Sequence, residues 1–61
     1  MKHQYQIYFY RDSKECAKSM VFNTVWAARL SAQKAMYLFD YDKGFVIDTI
    51  TGEIMVEVSA K

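Results

Sequence analysis

The chain has one histidine and one cysteine, His3 and Cys16, and these are its residues best suited to acid–base or nucleophilic chemistry. A thiol becomes an effective nucleophile when a base such as imidazole takes its proton and a third group orients that base. Nothing near His3 in the sequence would orient its ring, and chain termini tend to fray. We therefore expect a solvent-facing histidine, a half-buried thiol and no catalytic residues.

Metal and cofactor chemistry also lacks a motif. A structural zinc site needs about four cysteine or histidine ligands, and this chain has two such residues. Asp40, Asp42 and Asp48 lack the glycine and glutamate spacing of a calcium-binding loop. The two glycines, Gly44 and Gly52, stand alone and form no phosphate-binding loop. The sequence predicts a non-enzymatic protein without metal or cofactor.

Composition places the chain among cytoplasmic domains. A lone cysteine is typical of a reducing compartment, no apolar run approaches the roughly 20 residues that span a bilayer, and no apolar signal segment follows Met1. Net charge is +1, yet residues 1–34 hold most of the basic side chains and residues 35–61 most of the acidic ones. We expect a cytoplasmic location and no membrane partner.

Strand and turn signals divide the first third of the chain. Residues 5–10 alternate as a strand, with Tyr5, Ile7 and Phe9 on one face and Gln6, Tyr8 and Tyr10 on the other. Residues 11–18 are polar and predict a turn, followed by a short second strand at residues 19–22. The alternative is a helix that begins with Ser13 as its N-cap and runs through Met20.

The helix is the clearest element, because residues 25–39 contain four alanines and no glycine after a capping Asn23 or Thr24. Gly44 is suited to the left-handed residue that ends many helices. Strands are then predicted at residues 45–49 and 54–58, joined by a turn at Thr51 and Gly52, with the Asp48 carboxylate accepting from turn amides.

These elements predict one α+β domain over residues 1–61. The expected fold is an antiparallel sheet of three to four strands, in the order ββαββ, with one helix packed on one face. If the second strand does not form, the order becomes βαββ and a sheet edge needs a partner strand.

The helix carries two apolar groups at 100° per residue. The larger is expected to lie on the sheet: Val25, Ala28, Ala32, Ala35, Met36 and Phe39. Trp26, Leu30 and Tyr37 lie on a different arc, and aromatic residues of this kind often anchor interfaces. They predict a partner-binding or dimerisation face. The alternative is a rolled helix in which Trp26 and Leu30 cover the flank of the sheet and Tyr37 is half exposed.

The sheet face opposite the helix is a second candidate surface. Tyr8 and Tyr10 are expected there near Val46 and Met55, and exposed aromatics beside basic residues can stack unpaired bases. Arg11, Lys14 and Lys18 would supply the phosphate contacts. Against this, Asp48, Glu53 and Glu57 are expected on or beside the same face, where negative charge repels phosphate.

The segment from Phe22 through the helix to Glu53 resembles those of many small bacterial and phage α+β proteins, which implies a microbial origin and no particular functional residues. We expect a small protein-interaction module, an adaptor or inhibitor acting as a homodimer. The alternative is a small nucleic-acid-binding domain.

Overall fold

Four strands and one helix make up the part of the chain that the computed structural model describes, residues 3–59. Their bounds are β1 Tyr5–Arg11, β2 Lys14–Phe22, α1 Val25–Phe39, β3 Lys43–Asp48 and β4 Ile54–Ser59. The strands form one sheet in the order β2-β1-β3-β4, with every neighbouring pair antiparallel. The helix packs across one face of this sheet. The predicted α+β fold in the order ββαββ is confirmed.

Strand β2 is longer than predicted, because the turn before it has only two residues. Asp12 and Ser13 both have positive φ, 53° and 66°, which is the backbone of a tight type I′ hairpin. The predicted polar turn over residues 11–18 is therefore wrong. The alternative helix is wrong as well, since an N-cap residue has an extended backbone and Ser13 is left-handed.

Two irregularities in β2 explain why its sequence lacks the alternation that is typical of a strand. Its pairing with β1 shifts between Gln6 and Tyr8 and again between Phe9 and Tyr10, and each shift leaves one extra residue on β2. Each β-bulge reverses the alternation of faces, so the period of two is lost. Bulges also twist this edge strand away from regular pairing with another chain.

Helix α1 begins and ends with identifiable caps. The Thr24 side chain accepts a hydrogen bond from the Ala27 amide at 3.1 Å, which confirms the predicted start. Asp40, at φ 59°, is the left-handed residue that ends the helix, and its amide donates to the Met36 carbonyl. The capping role predicted for Gly44 is wrong. Gly44 is buried in β3, where an added Cβ would lie 3.5 Å from Met36 and from Ile7.

The core lies between α1 and the sheet. Its buried apolar residues are Ile7, Phe9, Ala28, Ala32, Met36, Val46 and Val58, with Val25, Ala35 and Val56 partly buried against them. Phe39 is 58% exposed, so its predicted place in the core is wrong. Tyr41, beyond the helix, stacks on the Phe9 ring instead, at 4.7 Å between centroids. The turn at Asp40 brings Tyr41 back over the sheet and leaves Phe39 outside.

The β3–β4 hairpin confirms its predicted turn but not its predicted faces. Gly52 has φ 78°, as expected of the turn glycine. Val46 pairs with Val56 and Ile47 with Ile54, so Met55 is an extra residue on β4. Ile54 consequently leaves the side of Val56 and Val58 and is 57% exposed. Within residues 3–59, no helix is long and apolar enough to cross a membrane.

Candidate interaction surfaces

His3 and Cys16 do not meet. The His3 Nδ1 atom lies 2.6 Å from the Asp48 carboxylate, at the start of β1. Cys16 lies on β2 beside the far end of β1, and its thiol contacts the Lys14 carbonyl at 3.4 Å. Cys16 is exposed, so the predicted half-buried thiol is wrong. Neither residue is placed to activate the other.

Asp48 is a buried structural carboxylate, 3% exposed. One oxygen accepts from the amides of Ile50 and Thr51 at 2.8 and 3.3 Å, as predicted, and the other contacts His3. Burial raises the pKa of Asp48, but these hydrogen bonds and the proximity of His3 lower it by more, so its pKa lies below the ordinary value. The expectation that Asp48 lies on or beside the sheet face opposite the helix is wrong.

The three aspartates considered above do not form a cluster. The Asp42 carboxylate accepts from the Asp12 amide at 2.7 Å, at the opposite end of β3 from Asp48. Within the described part of the chain, no group of three or more histidine, cysteine, aspartate or glutamate side chains could hold a metal ion. The Asp42 and Asp48 carboxylates instead accept hydrogen bonds from backbone amides of turns.

The first surface is a row of apolar side chains on α1, which we call the helix outer stripe: Trp26, Leu30 and Tyr37. They are 64%, 45% and 88% exposed, although all three are large and apolar or aromatic. The alternative in which the helix rolls to cover Trp26 and Leu30 is therefore wrong. At 100° per residue the stripe lies almost opposite Ala28 and Ala32, which are fully buried. The helix thus has one apolar side on the core and another in solvent.

The charges on α1 are all positive and flank this stripe. Arg29 and Lys34 are both exposed, and on the helical wheel they lie on either side of Trp26, Leu30 and Tyr37. The sequence of α1 contains no acidic residue. The stripe is therefore an apolar surface with a cationic border.

The second surface, which we call the open sheet face, is the side of the sheet away from α1. Cross-strand pairing places its residues in three rows. The first row, across β2, β1, β3 and β4, is Val21, Gln6, Ile47 and Ile54. The middle row is Lys18, Tyr8, Phe45 and Glu57. The third is Glu15, Tyr10, Lys43 and Ser59.

Aromatic and aliphatic side chains fill the centre of the open sheet face. Tyr10 packs edge to face on Phe45, with ring centroids 5.3 Å apart, and Lys18 lies 5.1 Å from the Tyr8 ring centroid. Tyr10, Phe45, Ile47 and Ile54 line a shallow groove of about 490 Å³. Tyr8 and Tyr10 lie on this face as predicted. Val46 does not, because it faces the core and is fully buried.

The predicted set of basic residues is divided between the two sides of the sheet. Lys18 lies beside Tyr8 on the open sheet face, but Arg11 and its pairing partner Lys14 lie one register position away, on the side of α1. Arg11 donates to the carbonyls of Phe39 and Asp40 at 2.6 and 3.3 Å. The grouping of Arg11 and Lys14 with the tyrosine face is therefore wrong.

The charges of the open sheet face occur in opposite pairs. Lys18 lies 3.9 Å from Glu15, and Lys43 lies 3.6 Å from Glu57. Glu57 is on this face as predicted. With two lysines and two glutamates, the face has no positive excess to attract phosphate.

Sequence reasoning missed Phe45, Ile47 and Ile54 as surface residues. Every position of β3 from Gly44 to Ile47 is apolar, so alternation could not identify the exposed side. Comparison with models of known protein families, with curated proteins and with solved structures finds no match to this chain.

Proposed function

We propose that this protein is a non-enzymatic interaction module that binds another protein through the helix outer stripe. The observation that supports the proposal most is the exposure of Trp26, Leu30 and Tyr37 on the side of α1 opposite the core. A helix that lies on one sheet needs one apolar side for its own fold. The second side exposes apolar area to water at a cost that a partner would remove.

The form of the stripe supports a helix-in-groove mode of binding. Trp26, Leu30 and Tyr37 follow one another at i, i+4 and i+11 along the helix, a spacing that inserts into an apolar groove. Arg29 and Lys34 border the stripe on both sides. The complementary partner is therefore a protein with an apolar groove and acidic side chains along its rim.

Nucleic-acid binding by the open sheet face is the weaker alternative. The contact of Lys18 with Tyr8 favours it, since a ring beside a cation can stack a base. The glutamates paired with Lys18 and Lys43 oppose it, because they would face the phosphates. The cytoplasmic location and the microbial origin remain predictions from the sequence.

A co-purification experiment with a matched control tests the proposal. The tagged chain would be expressed in cells of its source and compared with a Trp26→Ala, Tyr37→Ala double variant, with bound proteins quantified by mass spectrometry. Glu53→Ala is the control, as an exposed change in the β3–β4 loop, outside α1 and the residues that border the stripe. We expect specific proteins to be lost from the double variant and retained by the control.

Affinity measurement then gives the size of the effect. Loss of a central tryptophan anchor typically costs about 2 kcal/mol or more, or roughly a 30-fold rise in Kd. Because Trp26 and Tyr37 are exposed, the variant should keep its melting temperature. An unchanged set of partners in the double variant would overturn the proposal. So would salt-sensitive absorbance at 260 nm in the purified protein that disappears in Tyr8→Ala, and this result would favour nucleic-acid binding.

A further inference from the structure

We infer that the open sheet face binds a second copy of this chain, face to face, about a twofold axis that runs parallel to the strands between β1 and β3. The inference is independent of the helix outer stripe, which lies on the other side of the molecule. It names a surface, a symmetry and an occupant for the predicted homodimer.

The middle row of the face supplies the main argument. From edge to edge it reads Lys18 on β2, Tyr8 on β1, Phe45 on β3 and Glu57 on β4. A twofold axis along the strands exchanges the two edges and the two central strands. It therefore places Lys18 opposite Glu57 of the second copy, and Tyr8 opposite Phe45 of the second copy.

Each outer row contains one favourable pair under the same operation. Tyr10 comes opposite Lys43 of the second copy, and a lysine over a tyrosine ring is a favourable contact. Val21 comes opposite Ile54 of the second copy, which joins two side chains that are 42% and 57% exposed in one chain. The remaining pairs, Gln6 with Ile47 and Glu15 with Ser59 of the second copy, bring no like charges together.

The alternative twofold axis, across the strands, is unfavourable. It would lay each strand over its own copy, so Lys18 would face Lys18 and Glu57 would face Glu57. Like charges placed opposite one another destabilise a sheet interface. Charge therefore selects the axis along the strands, and aligned sheets of this kind pack about 10 Å apart.

Charge exchange tests the inference. Lys18 and Glu57 lie on opposite edges of a four-stranded sheet, roughly 14 Å apart at about 4.8 Å per strand. At physiological salt, charges this far apart in one chain are largely screened from each other. Any rescue of Lys18→Glu by Glu57→Lys must therefore act between two chains.

The experiment measures mass by size-exclusion chromatography with light scattering at loading concentrations up to about 100 μM, which detects a micromolar Kd. We expect the wild-type chain to show twice its monomer mass. Lys18→Glu and Glu57→Lys alone should each raise the dimer Kd roughly tenfold, because each change affects two symmetry-related pairs. The double variant should return close to the wild-type Kd.

Control variants separate this interface from other effects. Lys34→Glu on α1 and Glu53→Lys in the β3–β4 loop make the same charge changes at exposed positions outside the three rows, and should leave the dimer unchanged. Tyr8→Glu places a charge in the centre of the face. This variant should be a monomer by light scattering and folded by circular dichroism.

Several outcomes would overturn the inference. The inference is wrong if the wild-type chain is a monomer at every concentration. It is also wrong if neither single change raises the dimer Kd, or if the double variant does not return towards the wild-type Kd. If instead the Trp26→Ala, Tyr37→Ala variant becomes monomeric, the helix outer stripe is the dimer interface. Loss of partner proteins from that variant while it remains a dimer would support both proposals separately.

Discussion

Replacing Arg11 by alanine should destabilise the protein more than any other single change of an exposed charged residue on the α1 side of the sheet. The last turn of α1 contains no basic residue. Arg11 supplies that charge from β1, by donating to the carbonyls of Phe39 and Asp40 while lying 5.2 Å from the Tyr41 ring centroid. It therefore pairs with the negative end of the helix dipole and satisfies carbonyls that have no partner within the helix.

The contacts set the size of the effect. Each hydrogen bond is worth about 0.5–1.5 kcal/mol, and we take the lower end because Arg11 is exposed. The cation over the Tyr41 ring adds about 0.5 kcal/mol. The sum is about 1.5 kcal/mol, which for a domain of this size lowers the melting temperature by about 6–12 °C. Small domains are stable by only about 0.05–0.15 kcal/mol per residue, so this loss is a substantial fraction.

Thermal and urea unfolding followed by circular dichroism would measure this loss. Lys14→Ala is the matched control, because Lys14 pairs with Arg11 across the hairpin, carries the same charge and is also exposed. It should change the free energy of unfolding by less than about 0.5 kcal/mol. Arg11→Lys should fall between the two, since lysine keeps the charge but not the forked donor. If Arg11→Ala and Lys14→Ala melt together, the capping argument is wrong.

Three further changes test separate parts of the fold. The pKa of Asp48 is depressed in the folded state, so Asp48 contributes stability that is present above its ordinary pKa. That stability is lost as the pH falls through the folded pKa. The stability of Asp48→Asn should therefore depend less on pH below about 4 than that of the wild type. Gly44→Ala should be neutral or stabilise by up to about 1 kcal/mol, since a Cβ meets ordinary contacts there, whereas Gly52→Ala, at φ 78°, should cost about 1 kcal/mol; equal melting temperatures would contradict this contrast. Ser13→Gly should raise the melting temperature, because Asp-Gly suits a type I′ turn better than Asp-Ser, and a lower value would show that the turn is assigned wrongly.

Local signals were sufficient for some elements of this fold. The capping Thr24 marks the start of α1, the helix-forming residues that follow give its extent, and the alternation around Ile7 and Phe9 gives the inward side of β1. In both cases a single periodicity runs without interruption. The turn at Gly52 was predictable from a single residue, since a left-handed position strongly prefers glycine.

Other features depend on contacts that no local pattern contains. The bulges of β2 and the extra Met55 of β4 change which side each residue faces, and bulges are set by pairing with β1 and β3. The place of Tyr41 over Phe9, in preference to Phe39, depends on the left-handed turn at Asp40. For the candidate sites, the helix outer stripe followed from helical spacing alone. On the open sheet face, Tyr8 and Tyr10 followed from the alternation of β1, whereas Phe45, Ile47 and Ile54 required the register of β3 and β4.

The strand order divides the sheet into two halves that are each local in sequence. The β1–β2 and β3–β4 hairpins are closed by short turns, whereas the central pairing of β1 with β3 joins segments separated by β2 and the whole of α1. Pairing β1 with β3 closes the longest loop in the sheet. The entropic cost of closing it is offset only when α1 packs across both halves. Helix α1 thus holds the two hairpins together. Weakening its packing should separate β1 from β3 before either hairpin opens.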